Sequence, residues 1–178
     1  MKTRKESEKL LEEYIENEAL RHHCKMVAQA MEAYAKHLGK SEQEIDIWWT
    51  AGLLHDLDWE KFPDEHPNKA VNEILPELGY PEEILDAIRA HAPGRTGKNA
   101  DRDIERYLFA CDELCGFIHA SSLIRPEGYK GMKVKSIKKK LNTARFAANV
   151  SREDIAEGAD LINSTLDEHI QFLLNVFV

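Results

Sequence analysis

A histidine followed directly by an aspartate, His55-Asp56, can place an imidazole nitrogen and a carboxylate oxygen on one metal ion. That mixed donor set suits Mn, Fe, Co, Ni or Zn better than Ca. Neighbours on a helix point about 100° apart, so such a pair converges best where a helix ends. The sequence puts it there: Ala51-Gly52-Leu53-Leu54 leads into the pair, and Leu57-Asp58-Trp59 follows. Taken alone, the dipeptide reads more simply as a structural pair. Two polar residues elsewhere change that. His23 stands in an apolar stripe with Leu20, Cys24, Val27, Met31, Tyr34 and Leu38, where its ring nitrogens need partners. Asp112 lies between Phe109-Ala110-Cys111 and Leu114, Gly116 and Phe117, where a carboxylate needs a cation, a metal or several donors. One divalent metal would serve His23, His55, Asp56 and Asp112 together. His22 falls off the stripe, so His23 is the preferred ligand. His119, two turns past Asp112, is read as packing near the site, and His37 and His169 as surface histidines.

The elements that must position these residues are helical almost throughout, because apolar residues recur at helical spacing. Helices are expected over Glu6–Glu16, from Glu18 to Leu38, and from a Ser41/Glu44 capping box to the His55-Asp56 pair. Residues 57–65 read as irregular. A fourth helix is expected from near Pro67 to Leu78-Gly79, and a fifth from Pro81 to His91-Ala92-Pro93. Gly94 to Asn99 reads as a loop, and a long helix runs from about Asp101 to Ile124. Further helices fit near 133–141, 152–161 and 163–176. No alternating strand pattern, repeat or linker stands out. The expected fold class is all-α: a single-domain helical bundle over residues 1–178, with the metal-site core at about 18–125 and C-terminal helices at 126–178.

The 178 residues, 43% hydrophobic and 31% charged, suit one globular domain. No apolar run approaches the roughly 20 residues of a membrane span, and the charged N-terminus lacks the apolar stretch of a signal peptide. A cytoplasmic protein with no membrane partner is expected. Cys24, Cys111 and Cys115 are read as small buried thiols rather than a disulfide framework or a zinc site. A net charge of −8 argues against nucleic-acid binding. From Gly128 to Arg152, however, there are Lys130, Lys133, Lys135, Lys138, Lys139, Lys140, Arg145 and Arg152, and no acid. Two readings of this block stay open: a solvated helix face, or a positive wall for phosphate groups.

The ordered set of residues resembles the HD-domain superfamily of metal-dependent phosphohydrolases. The matching segments are Arg21-His22-His23-Cys24, Ala51-Gly52-Leu53-Leu54-His55-Asp56 and Ala110-Cys111-Asp112-Glu113-Leu114. The segment Val134-Lys135-Ser136-Ile137-Lys138-Lys139-Lys140 is also similar to the tails of small bacterial members. The resemblance implies a helical bundle with His23, His55, Asp56 and Asp112 as metal ligands. It further implies that His66 and His91 fall where some subfamilies hold a second ion, with Asp56 then bridging two metals. One ion or two is left open.

The chemistry expected of such a protein is hydrolysis of a small phosphate ester or nucleotide by metal-activated water. Cations would stabilise the transferred group, and the candidates are Lys61, Arg125, Lys135 and Lys138. Asp58, or less directly Glu60, is expected as general acid or as an acceptor for a ligating histidine. The alternatives are an HD-fold di-iron oxygenase and a non-catalytic nucleotide-binding module.

Overall fold

The computed structural model of the protein describes residues 2–178, and every regular element among them is helical. The helices are α1 (Arg4–Tyr14), α2 (Glu18–His37), α3 (Glu42–Leu54), α4 (Leu75–Glu77), α5 (Glu82–His91), α6 (Pro93–Thr96), α7 (Asp103–Leu123), α8 (Val134–Leu141), α9 (Arg152–Leu161) and α10 (Leu166–Val176). The all-α expectation holds. No helix among the described residues is long and apolar enough to cross a membrane.

Helix starts follow side-chain chemistry that satisfies the free N–H groups of the first turn. Reciprocal capping boxes open α1 (Thr3 with Glu6), α3 (Ser41 with Glu44) and α10 (Thr165 with Glu168). The Asn17 side chain accepts from the N–H groups of Ala19 and Leu20 to start α2. Three elements differ from expectation. The first helix begins at Arg4, because the Thr3–Glu6 box sets its start. The stretch expected as a loop from Gly94 begins with the short α6, which Gly97 closes at φ +73°. The expected fourth helix contains a π-helical stretch, Ala70–Ile74, that runs into α4.

The long α7 is the central element, packed against α2, α5 and α9. α2 also packs along α3, and α10 lies against α2, α7, α8 and α9. Two glycines set how closely these helices approach. A Cβ on Gly52 of α3 would lie 2.9 Å from the backbone of Val27 and Ala28 in α2. A Cβ on Gly158 of α9 would lie 2.7 Å from Cα of Ala110 in α7. No side chain fits at either crossing, so backbone packs on backbone and the residues beside the crossings are drawn together.

His169, expected at the surface, is fully buried. The Tyr34 hydroxyl of α2 donates to its Nδ1 at 2.6 Å, and its Nε2 donates to the Ala110 carbonyl of α7 at 2.9 Å. A neutral ring satisfies both bonds and ties three helices together. Its spacing from Leu166, Ile170 and Leu173 places it on the apolar stripe of α10, which is the signal that would have located it.

Two outcomes follow from this packing. Gly52→Ala is expected to destabilise the fold by about 1–3 kcal/mol through overpacking, whereas Gly94→Ala, whose Cβ meets open space, changes little; chemical denaturation measures both. Burial lowers the pKa of His169 below the ordinary imidazole value of about 6.5. The unfolded chain therefore takes up a proton that the folded chain refuses. The stability held by this group is complete above pH about 6.5 and is lost as pH falls below it toward the folded value. Unfolding free energies measured from about pH 7.5 down to about 5.5 should decline, and the decline should be shallower in His169→Gln.

Candidate metal centre

Six side chains from five parts of the chain converge between α2, α3, α5 and α7. His23 comes from the middle of α2, and Asp112 from the middle of α7. His55 caps the end of α3 and Asp56 follows it. His66 comes from the turns after α3, and His91 is the last residue of α5. Gly116, one turn beyond Asp112, packs beside the His23 ring; a Cβ there would make ordinary contact with it at 3.8 Å.

The donor atoms form two groups. In the first, His23 Nε2 lies 2.9 Å from Asp112 Oδ1 and 3.3 Å from His55 Nε2, and His55 Nε2 lies 3.4 Å from Asp112 Oδ1. In the second, His66 Nε2 lies 3.2 Å from His91 Nε2 and 3.4 Å from Asp56 Oδ1. Asp56 belongs to both. Its Oδ2 is 3.4 Å from His55 Nε2, while its Oδ1 faces His66 and, at 3.9 Å, His91.

The hydrogen bonds on the far side of the rings show why a cation fits. His55 Nδ1 donates to the Gly52 carbonyl at 2.8 Å, and His91 Nδ1 donates to the Ile88 carbonyl. His66 Nδ1 donates to Asp58 Oδ1 at 2.7 Å. Each acceptor fixes the ring hydrogen at Nδ1, so the neutral ring offers a lone pair at Nε2. In the second group two such lone pairs and a carboxylate oxygen face one another with no hydrogen between them. Such a trio repels itself unless a positive charge sits among it. Separations of this size are also those of ligands about 2.0–2.2 Å from a shared ion.

The electrostatics show how strongly the two carboxylates draw positive charge to this place, as a proton on His55 when no metal is bound. Burial works against a charge on His55, yet Asp56 and Asp112 raise its pKa well above the ordinary imidazole range. Burial opposes both carboxylates, yet the imidazoles hold Asp56 and Asp112 low, His55 foremost. Burial, with His55 adding to it, pushes His91 down to about 4, so its ring is neutral and able to ligate. The six residues therefore suit a divalent metal: His23, His55 and Asp112 could hold one ion, Asp56, His66 and His91 a second.

A model of the HD-domain family matches residues 20–116, more than half of the chain. The chain belongs to the HD-domain family. This is a superfamily of metal-dependent phosphohydrolases, and its members bind divalent metals. Comparison with curated proteins gave no match, and comparison with solved structures gave none.

In this HD-domain protein five of the six residues, all but the buried His55, line a cleft of about 740 Å³. That is room for one small molecule, since such sites typically occupy about 300–1,000 Å³. Trp59, Phe109, Arg95 and the acids Glu113, Asp154 and Glu157 line the rest of it. Glu113 accepts a hydrogen bond from the Ser151 N–H, and burial, with Asp112 beside it, pushes its carboxyl up to about 7.

The structure fits one of the two roles expected of Asp58 and takes Lys61 and Arg125 away from the cleft. Asp58 is fully buried, with one oxygen on His66 Nδ1 and the other accepting from the Ala70 N–H at 2.7 Å. It does not line the cleft, so its position suits the expected acceptor for the His66 ring rather than a general acid. Lys61 points away; its Nζ donates to the Glu13 carbonyl and lies over the Tyr14 ring. Arg125 folds back onto the carbonyls of Gly128 and Lys130. Neither reaches the cleft. The basic block forms no positive wall either: from residues 128–152 only Asn149 and Val150 line the cleft. Lys138 pairs with Asp167, and Arg152 donates to the carbonyls of Phe146, Ala147 and Val150. Glu60 accepts from the N–H groups of Glu16 and Asn17. His22 and His119 both meet the Tyr129 hydroxyl, outside the metal centre. Sequence reasoning missed Arg95 and Glu113 as cleft residues; Glu113 adjoins a ligand, and nothing in the local pattern marks Arg95.

The two-group geometry makes Asp58 a selective test. Asp58→Asn leaves His66 without its anionic acceptor. Affinity for the more weakly held of two ions should fall by roughly 10- to 100-fold, with the first ion retained. Metal titration with elemental analysis of wild type and variant measures this.

Proposed function

We propose that this protein hydrolyses the phosphate ester bond of a small monoester, with two divalent ions in the cleft. The observation that carries this reading is the position of Asp56 between His55 of one three-residue group and His66 of the other, beside a cleft sized for one small molecule. Bound there, divalent metal would lower the pKa of a water toward about 7 and polarise a phosphoryl oxygen.

The chain's own residues prepare that chemistry. Asp56 directs one oxygen to each group, which fixes the spacing between them. The carbonyls of Gly52 and Ile88 and the carboxylate of Asp58 hold three imidazoles with Nε2 turned inward. Each ring then needs no reorientation when substrate arrives. Trp59 and Phe109 give the cleft apolar surface for the organic part of a substrate.

A second reading is oxidation by a pair of irons, and the same paired groups favour it, because imidazole and carboxylate also suit iron. Two irons per chain in protein purified without air, with a spectral change on admitting oxygen, would mark that reading.

Hydrolysis is tested with a panel of phosphate esters and added Mn, Co or Ni. Release of phosphate is expected from at least one monoester. His55→Ala and Asp56→Ala should lose more than roughly 100-fold in rate, since even partners one step removed from a metal cost about 10- to 100-fold. Circular dichroism checks that both variants keep their helices. Equal activity in wild type and variants would exclude the reading.

A further inference from the structure

The charges lining the cleft are lopsided. Asp56, Asp112, Glu113, Asp154 and Glu157 contribute five carboxyl groups, and Arg95 is the single lysine or arginine among the described residues lining it. Two divalent ions would balance most of that negative charge at the floor. Nothing on the walls except Arg95 offers positive charge to an anionic group arriving from solvent.

Arg95 is also held in a defined place. Its Nη1 donates to the Pro63 carbonyl at 2.8 Å and to the His66 carbonyl at 3.1 Å. Its guanidinium lies over the Trp59 ring, 5.4 Å from the centroid. Trp59 in turn meets the His66 ring edge-on, with centroids 5.0 Å apart. The Arg95 carbonyl accepts from Asn68 Nδ2 at 3.5 Å. These contacts place the guanidinium one side chain away from a ligand of the second group. Its Nε and Nη2 meet no acceptor among the described residues, and none of the cleft carboxylates pairs with it. A guanidinium fixed on one nitrogen and free on the other two is a ready fork for two oxygens of one anion. Surface arginines are ordinarily mobile or paired; this one is stacked, anchored and left with spare donors.

We infer that Arg95 is the phosphate-binding residue of the cleft, presenting Nε and Nη2 to two oxygens of a phosphoryl group that faces the metal ligands on its other side. The inference rests on the hydrolase reading and narrows it. One fork recognises one phosphoryl group, and the carboxylates Asp154 and Glu157 repel further ones. The substrate class is therefore a phosphate monoester carrying a single phosphoryl group, in preference to a di- or triphosphate.

The test titrates inorganic phosphate calorimetrically into metal-loaded wild type, Arg95→Ala and Arg95→Lys, with metal content measured in parallel. The expected result is a loss of phosphate affinity of roughly 10- to 100-fold in Arg95→Ala and a smaller loss in Arg95→Lys, at unchanged metal content. For a monoester that is turned over, Arg95→Ala should raise KM more than it lowers kcat. Wild type should show a higher kcat/KM for a nucleoside monophosphate than for the matching triphosphate. Several results would overturn the assignment: no phosphate binding by wild type, unchanged affinity in Arg95→Ala, a triphosphate preferred, or metal lost together with phosphate binding. The last would mean that Arg95 acts only by holding the His66 segment. Phosphate binding that depends on Arg95 in a protein that hydrolyses no ester would defeat the hydrolase reading and leave this one standing. Hydrolysis with phosphate affinity indifferent to Arg95 would do the reverse.

Discussion

The two oxygens of Asp56 face different partners: Oδ2 stands 3.4 Å from His55 and Oδ1 stands 3.4 Å from His66. Around them lie four imidazole nitrogens and a second carboxylate, three of the imidazoles buried and the other two groups partly so. Lone pairs brought this close repel, and burial removes the solvent that would screen them. A cation relieves the repulsion, and without one the arrangement would be a standing cost to the fold. Most of the architecture can be understood as what holds these donors in place.

That holding begins with backbone. Gly52 lets α3 lie directly on α2, which brings His55 to His23, and the Gly52 carbonyl then fixes the His55 ring. Gly158 lets α9 lie on α7 beside Ala110, two residues before Asp112. His169 joins α10 and α2 to that same Ala110. The helix carrying Asp112 is thus held by α9 and, through His169, by α10 and α2. The C-terminal helices, outside the matched family segment, contribute to the centre by supporting it and by closing the cleft with Asp154 and Glu157.

How much of this could be read from the sequence follows from what periodicity encodes. Helices announce themselves because each must bury a stripe, and capping boxes mark their starts. A polar residue on such a stripe is conspicuous, which is why His23 and Asp112 stood out. The same argument applied to α10 would have found His169. His66 and Asp58 sit in the turns between α3 and the π-helical stretch, where no period exists, so His66 entered only through family resemblance. The cationic residues were the least legible. Lys61 and Arg125 lie near the ligands in sequence, but their long side chains bond to carbonyls elsewhere. Arg95 lies far from the doublet and was hidden in a stretch read as loop, yet the fold of that stretch aims it at the cleft. The direction of a flexible side chain is set by tertiary partners, which spacing does not encode.

The central claim is that one carboxylate joins two ion sites. Crystals of metal-loaded protein, measured on both sides of the metal's absorption edge, give the positions of the ions directly. Two anomalous peaks are predicted on either side of Asp56, one within reach of His23, His55 and Asp112 and the other within reach of His66 and His91. A single peak confined to the first group, with His66 and His91 bonded only to protein, would contradict the account.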